Sequence, residues 1–162
     1  MSGIVIKAFE LCAEFDKVRS EIESLDVSND NIDFVKSYLY YALFDDDPTW
    51  RDTRLHEQGI AHILYCNTEP VGVVVTQQTT SSGLISIDLL LVSSNHRGRG
   101  FGTYLLKYCL MTSKKIKLEV HADNSIAVCM YKKYGFKFTD ARGDYIVMTR
   151  SADKFKPLLQ AT

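Results

Sequence analysis

Between Ala61 and Val92 three segments rich in β-branched and aliphatic residues follow one another with no helical spacing between them: Ala61–Cys66, Val71–Gln77 and Leu84–Val92. Two clusters of turn formers, Asn67-Thr68-Glu69-Pro70 and Thr79-Thr80-Ser81-Ser82-Gly83, separate them. This spacing predicts a three-strand antiparallel meander. A sheet begun in this way has apolar faces that helices must cover.

The flanks supply those helices. After a first strand, Ile4–Phe9, the apolar residues Leu11, Phe15, Val18, Ile22 and Leu25 step by three or four, which is helical spacing. Ser28-Asn29-Asp30-Asn31 reads as a turn and cap for a second helix through about Phe44, with Ile32, Val35, Leu39 and Leu43 on one face. Asp45-Asp46-Asp47-Pro48 ends it, because a proline disfavours helix at the residue before it. Beyond the meander come a glycine-rich loop (Arg97–Gly102), a helix to about Lys114 and a strand Ile116–His121. A helix Ser125–Tyr134 stopped by Gly135 follows, then short strands around Phe136–Thr139 and Tyr145–Thr149. The order β-α-α-β-β-β-α-β-α-β-β mixes hairpins with helical crossovers, which predicts an α/β sheet with antiparallel and parallel parts. With 162 residues, no repeat and no linker, the chain reads as one domain over 1–162.

Composition narrows the function. Hydrophobic residues make up 46% and charged residues 24%, the profile of a soluble globular protein. Nineteen Lys and Arg against twenty Asp and Glu leave a formal charge of −1, without the broad basic footprint of a duplex-DNA binder. A small or single-stranded nucleic-acid ligand stays open. No apolar run approaches the ~18 residues that cross a bilayer. The first residues lack a signal peptide's basic and apolar regions, and the end carries no prenylation box. The expectation is a cytoplasmic protein without membrane contact. Cys12, Cys66, Cys109 and Cys129 form no metal-ligand spacing and sit in apolar segments, so they are expected to be reduced and buried, and no metal is expected.

The glycine loop carries the first functional signal. Arg97-Gly98-Arg99-Gly100-Phe101-Gly102-Thr103 follows a strand and opens a helix, so its free backbone N–H groups can receive an anion. A Walker A loop is absent, and the dinucleotide pattern Gly-x-Gly-x-x-Gly fails because its last position, counted from Gly98, is Thr103. The pattern that fits is Arg-x-x-Gly-x-Gly, through Arg97, Gly100 and Gly102.

Downstream stands Asn124-x-x-Ala127-x-x-x-Tyr131-x-x-x-Gly135-Phe136, with Leu118-Glu119-Val120-His121 just before it. Loop, helix, strand and this second motif, in register over about 84–149, resemble the acetyl-CoA-binding half of the GNAT superfamily of N-acetyltransferases. The resemblance implies a GNAT fold: a mixed central sheet of about seven strands, an antiparallel meander plus parallel fourth and fifth strands, flanked by about four helices. It implies acetyl-CoA as cosubstrate, with no metal. The backbone of Arg97, Gly98, Arg99, Gly100, Phe101, Gly102 and Thr103 would hold the pyrophosphate, and groups near Leu91 and Val92 the pantetheine. Asn124, Tyr131 and Tyr134 would complete the cofactor contacts. A homodimer is compatible with the family.

Acetyl transfer needs two proton movements. An amine acceptor, often of pKa about 10, must lose its proton before it attacks, and the leaving thiolate gains from a proton donor. Tyr131, seven residues after Asn124, stands where the family's general acid commonly lies. For the base, alternation puts Ile116, Leu118 and Val120 on one face of their strand and Lys117, Glu119 and His121 on the other. Glu119 matches the glutamate used as base in the ribosomal-protein alanine N-acetyltransferases, which this stretch resembles. Asp88, sharing a strand face with Ser86 by the same alternation, is the alternative, and an enzyme with no dedicated base stays open. Those alanine N-acetyltransferases carry a longer, tyrosine-bearing connection between the last two strands, whereas Asp140-Ala141-Arg142-Gly143-Asp144 reads as a short turn, which weakens a peptide specificity. Tyr38, Tyr40, Tyr41, Asp45, Asp46, Asp47, Trp50 and Asp52 form an acidic and aromatic region suited to a small cationic amine. The alternatives are a protein or peptide N-terminal or lysine acetyltransferase and a non-catalytic coenzyme A-binding regulator.

Overall fold

The structure, a computed structural model, describes residues 3–26, 59–79, 83–112 and 115–151. The expected second helix, Ser28 to Phe44, and the acidic and aromatic region Tyr38 to Asp52 lie outside the described residues. In chain order the described elements are β1 (Ile4–Glu10), α1 (Leu11–Glu23), β2 (Gly59–Cys66), β3 (Glu69–Thr79) and β4 (Leu84–Val92). After a 3₁₀ turn at Ser94–His96 come α2 (Phe101–Thr112), β5 (Lys115–His121), α3 (Ser125–Lys133), β6 (Lys137–Arg142) and β7 (Tyr145–Ser151).

The seven strands form one sheet in the order β1-β2-β3-β4-β5-β7-β6. Every neighbouring pair is antiparallel except β4 and β5. The meander predicted from the turn clusters is therefore present, and the crossover through α2 supplies the single parallel pair. One core cluster joins Leu11, Val18, Ile22 and Leu25 from α1 and its end to Ile63, Val73, Val75, Leu89 and Leu91 of the sheet. These α1 residues are the ones the three-or-four spacing marked. A second cluster packs Phe101, Leu105, Leu106 and Cys109 of α2 and Tyr131 of α3 against Val74, Ile87, Ile116, Leu118 and Val120. Leu105 and Leu106 are fully buried, each stabilising the packing by about 1.5–3 kcal/mol.

Two expectations are corrected. Of the four cysteines only Cys109 is buried; Cys12 and Cys129 are exposed and Cys66 is half-buried. Cys12 and Cys129 lie on the outward faces of α1 and α3, where apolar neighbours in sequence point elsewhere. The stretch from Asp140 to Asp144 is not all turn: β6 runs to Arg142, which pairs with Tyr145, so the connection is Gly143-Asp144 alone.

Candidate functional site

The parallel strands β4 and β5 are hydrogen-bonded neighbours for only part of their length. Pairing runs from Leu84 opposite Lys115 to Ile87 opposite Leu118, yet β4 continues to Val92 and β5 to His121. The cause lies on the other side of β4. Val75 of β3 faces Leu89 while Thr76 faces Ile87, so Asp88 is an extra residue, a β-bulge. A bulge bends its strand and raises the local twist, and here it stands where β4 leaves β5. It also restarts the alternation, since Ile87 packs in the α2 core and Leu89 and Leu91 in the α1 core. The strict alternation that grouped Ser86 with Asp88 thus breaks at Asp88. The two still meet, because the Ser86 hydroxyl donates to Asp88 Oδ1 at 2.9 Å.

Two cavities open at this divergence. The larger, about 530 Å³, is lined by Asp88, Arg97, Glu119, Asn124, Tyr131 and Tyr145 among others. The smaller, about 390 Å³, is lined by Ser86, Asp88, Lys117, Glu119 and Tyr145, with Ile87 and Leu118. All three catalytic candidates of the sequence line the larger cavity, and both carboxylates line the smaller one too.

Tyr131 owes its position to the capping of α3. Asn124 is the N-cap, its Oδ1 accepting the Ala127 N–H at 3.2 Å. At the other end Gly135 takes φ +88°, a left-handed value glycine tolerates. The Gly135 N–H reaches Lys132 O and the Phe136 N–H reaches Tyr131 O, each at 3.1 Å, which is a Schellman cap. The hydrophobic contact of that motif is the Tyr131 ring against Phe136, 5.6 Å between centroids. Much of the Asn-x-x-Ala-x-x-x-Tyr-x-x-x-Gly-Phe pattern is therefore a helix with its own start and stop signals. Burial pushes the Tyr131 phenol up to about 12, and the adjacent Cys109 adds to the rise. Such a phenol holds its proton at neutral pH. The Cys109 thiol, also pushed up to about 12 by burial, is no nucleophile.

Glu119 projects from the face of β5 opposite buried Ile116, Leu118 and Val120, as alternation requires. Its Oε1 accepts from Arg142 Nη1 at 2.8 Å, an ion pair that reaches across β7 from the edge strand β6. His121 sits two residues on, its Nδ1 accepting the Asp123 N–H at 3.2 Å and its ring edge-on to Tyr145 at 5.3 Å.

In the glycine loop, Gly98 and Gly100 have φ +73° and +85°, and a Cβ on either would meet nothing within 4 Å. Both positions therefore use glycine's left-handed backbone, and open space lies where a side chain would stand. Arg99 is exposed, whereas Arg97 bends back, Nε and Nη2 donating to Val92 O at 3.2 and 3.1 Å. Gly102 lies against Val92 and Leu90, and Thr103 Oγ1 reaches Met130 Sδ at 3.8 Å, tying α2 to α3. The Leu91 and Phe101 side chains are core, Val92 packs partly against it, and Tyr134 packs beside it beneath the Lys107 ammonium. Val92 and Tyr134 are half-buried, and the Val92 carbonyl is taken by Arg97. These residues fit a nucleotide-linked thioester: open amides at a helix start, an uncovered stretch of β4 and a buried phenol. Among the described residues no His, Cys, Asp and Glu are grouped as a metal site, and no helix is long and apolar enough to cross a membrane.

Three site residues were not singled out from the sequence: Lys117, Arg142 and Tyr145. The available signal was Lys117 on the charged face of β5. Arg142 and Tyr145 are brought in by the β6–β7 pairing.

The chain is similar to known proteins. A family model described as the acetyltransferase (GNAT) family matches residues 29–136. The peptidyl-lysine N-acetyltransferase YjaB of Salmonella typhimurium is 33% identical over 75 residues, 43% of this chain and about half (52%) of that protein's length. Drosophila melanogaster san, named a probable N-acetyltransferase, is 28% identical over 145 residues, 83% of this chain and 78% of that protein. Among solved structures, the PaiA N-acetyltransferase of Thermoplasma acidophilum in complex with coenzyme A superposes with TM-score 0.66 at 16% identity, covering 93% of this chain and 99% of that one.

Proposed function

The chain belongs to the GNAT family of acetyltransferases, and from that premise we propose that it transfers the acetyl group of acetyl-CoA to a small primary amine by direct attack of the amine on the thioester. The observation that carries the reading is the divergence of β4 from β5. It leaves a gap bordered by a protonated phenol on the α3 side and by two carboxylates.

Acetyl-CoA supplies an activated acetyl carbonyl and a thiolate leaving group. The amides from Gly98 to Thr103 receive its pyrophosphate, the Arg97 amide being held by Ser94 O, with the dipole of α2 favouring the charge. The end of β4 near Leu91 and Val92, beyond its pairing with β5, takes the pantetheine in place of the Arg97 side chain that donates to Val92 O, and Asn124 and Tyr134 flank it. The amine arrives as an ammonium, and Glu119 takes its proton, directly or through water. The C–N bond forms as the C–S bond breaks, the sulfur takes the proton of Tyr131, and the second proton shed by the acylated nitrogen returns through water to the Tyr131 oxygen. Arg142 orients the Glu119 carboxylate. Asp88, fixed by Ser86, is the alternative base. The whole reaction is assigned to one domain over residues 1–162.

A second reading, transfer to a peptide N-terminus or a lysine side chain, is favoured by one observation: the Salmonella relative is a peptidyl-lysine N-acetyltransferase. A thiol-release assay with acetyl-CoA over a panel of small amines and peptides separates the two. Turnover with small amines is the expected result. Turnover with peptides alone reassigns the acceptor, and none with either leaves a coenzyme A-binding regulator.

A further inference from the structure

β5 lies inside the sheet, parallel to β4 and antiparallel to β7. One face packs in the core with Ile116, Leu118 and Val120. The other carries Lys115, Lys117, Glu119 and His121. Lysine is among the residues least often drawn into an interior, yet Lys117 is half-buried and lines the smaller cavity beside Asp88 and Glu119. It does not line the larger cavity, which Asn124, Tyr131 and Arg97 share. Glu119 is already in an ion pair with Arg142, and Asp88 takes a hydrogen bond from Ser86, the residue directly across from Lys117. Among the described residues no ion pair or hydrogen bond engages the Lys117 ammonium.

A cavity built only for a cationic amine gains nothing from an ammonium of its own, since like charges repel. We infer that Lys117 receives a carboxylate of the acceptor, so that the acceptor is zwitterionic: a primary amine with a carboxylate close by. Lys117 and Glu119 are two residues apart on one strand face, about 7 Å at the backbone. A molecule spanning them needs its nitrogen and its carboxylate within roughly that distance. A free amino acid meets this requirement, and so does a peptide whose N-terminal residues include an acidic side chain. The inference rests on the transferase reading above and names its acceptor class.

The test measures kcat/KM for matched acceptors: free amino acids against their carboxamides, and short peptides with aspartate against asparagine at the second position. The wild-type protein should prefer the carboxylate partner of at least one series on the order of tenfold, the scale of a hydrogen bond to a charged group. Lys117→Met should bring that ratio near one, Lys117→Glu should reverse it, and Lys117→Arg should restore it. Thermal stabilisation by acetyl-CoA, read on each variant, reports folding and cofactor binding apart from acceptor choice. Which series shows the preference distinguishes an amino acid from a peptide. A ratio that Lys117→Met leaves unchanged, or a wild-type preference for the carboxamides, overturns the inference while the transferase reading stands. No turnover in any series, with acetyl-CoA still bound, overturns the inference, and the small-amine panel then decides whether the transferase reading falls with it.

Discussion

Removing the Tyr131 hydroxyl while keeping its ring separates the two roles the residue can have. Negative charge grows on the departing sulfur, so a donor there acts on the transition state more than on bound cosubstrate. Tyr131→Phe keeps the contact with Phe136 and should lower kcat on the order of 10²-fold with little change in acetyl-CoA binding. A residue that only packs would instead give a fully active Phe variant and lost binding in Tyr131→Ala. Burial of the same phenol has a signature in stability. Its pKa is raised from 10.0 to about 12 and that of Cys109 from 9.0 to about 12, so the folded state keeps protons that the unfolded chain would release. Their contribution is complete below pH 9 and is lost as pH rises toward 12, so melting temperature should fall across that window, and less steeply in Tyr131→Phe. A flat profile there would contradict the burial. For Glu119, exchange to glutamine keeps an oxygen for Arg142 and removes the base. Turnover should drop by about 10²-fold with cofactor affinity held. Equal activity of Glu119→Gln and parent would transfer the role to Asp88 or mean that the amine arrives already neutral.

The elements differ in how openly the sequence announced them. The sequence marks β4 at its observed limits, Leu84–Val92, because the turn cluster ending at Gly83 precedes it and aliphatic residues fill seven of its nine positions. The buried face of β5 was equally plain from alternation. The bulge at Asp88 was not, since it is defined by which β3 residue stands opposite, a relation invisible in β4 alone. β6 was read too short because Asp140, Ala141 and Arg142 are poor strand formers on an exposed edge, held in the ladder by β7. The pair Arg142–Glu119 joins residues 23 apart, beyond any local pattern. The glycine loop was legible because its chemistry is local: positive φ at Gly98 and Gly100 demands glycine whatever packs nearby. Gly100→Glu would force a side chain into left-handed backbone and put bulk and negative charge where phosphate is proposed to sit. It should abolish the thermal shift given by acetyl-CoA, whereas an undiminished shift would remove the loop from the site.

At the scale of the molecule, two units share one sheet. β1 to β4 with α1 form one wall of the cleft, and β5, α3, β7 and β6 form the other, joined through α2 and four residue pairs between β4 and β5. The proposed chemistry depends on that join being short. Acetyl-CoA at the proposed site would bridge both walls and should stabilise the fold by about 2.7 kcal/mol at a hundredfold excess over its dissociation constant. Amide hydrogen exchange with and without acetyl-CoA reads directly where the ligand bridges them. Slowed exchange is expected in two stretches together, the part of β4 not paired with β5, from Asp88 to Val92, and the loop from Arg97 to Thr103. Stabilisation by acetyl-CoA with protection elsewhere, and none in these two stretches, would contradict this placement.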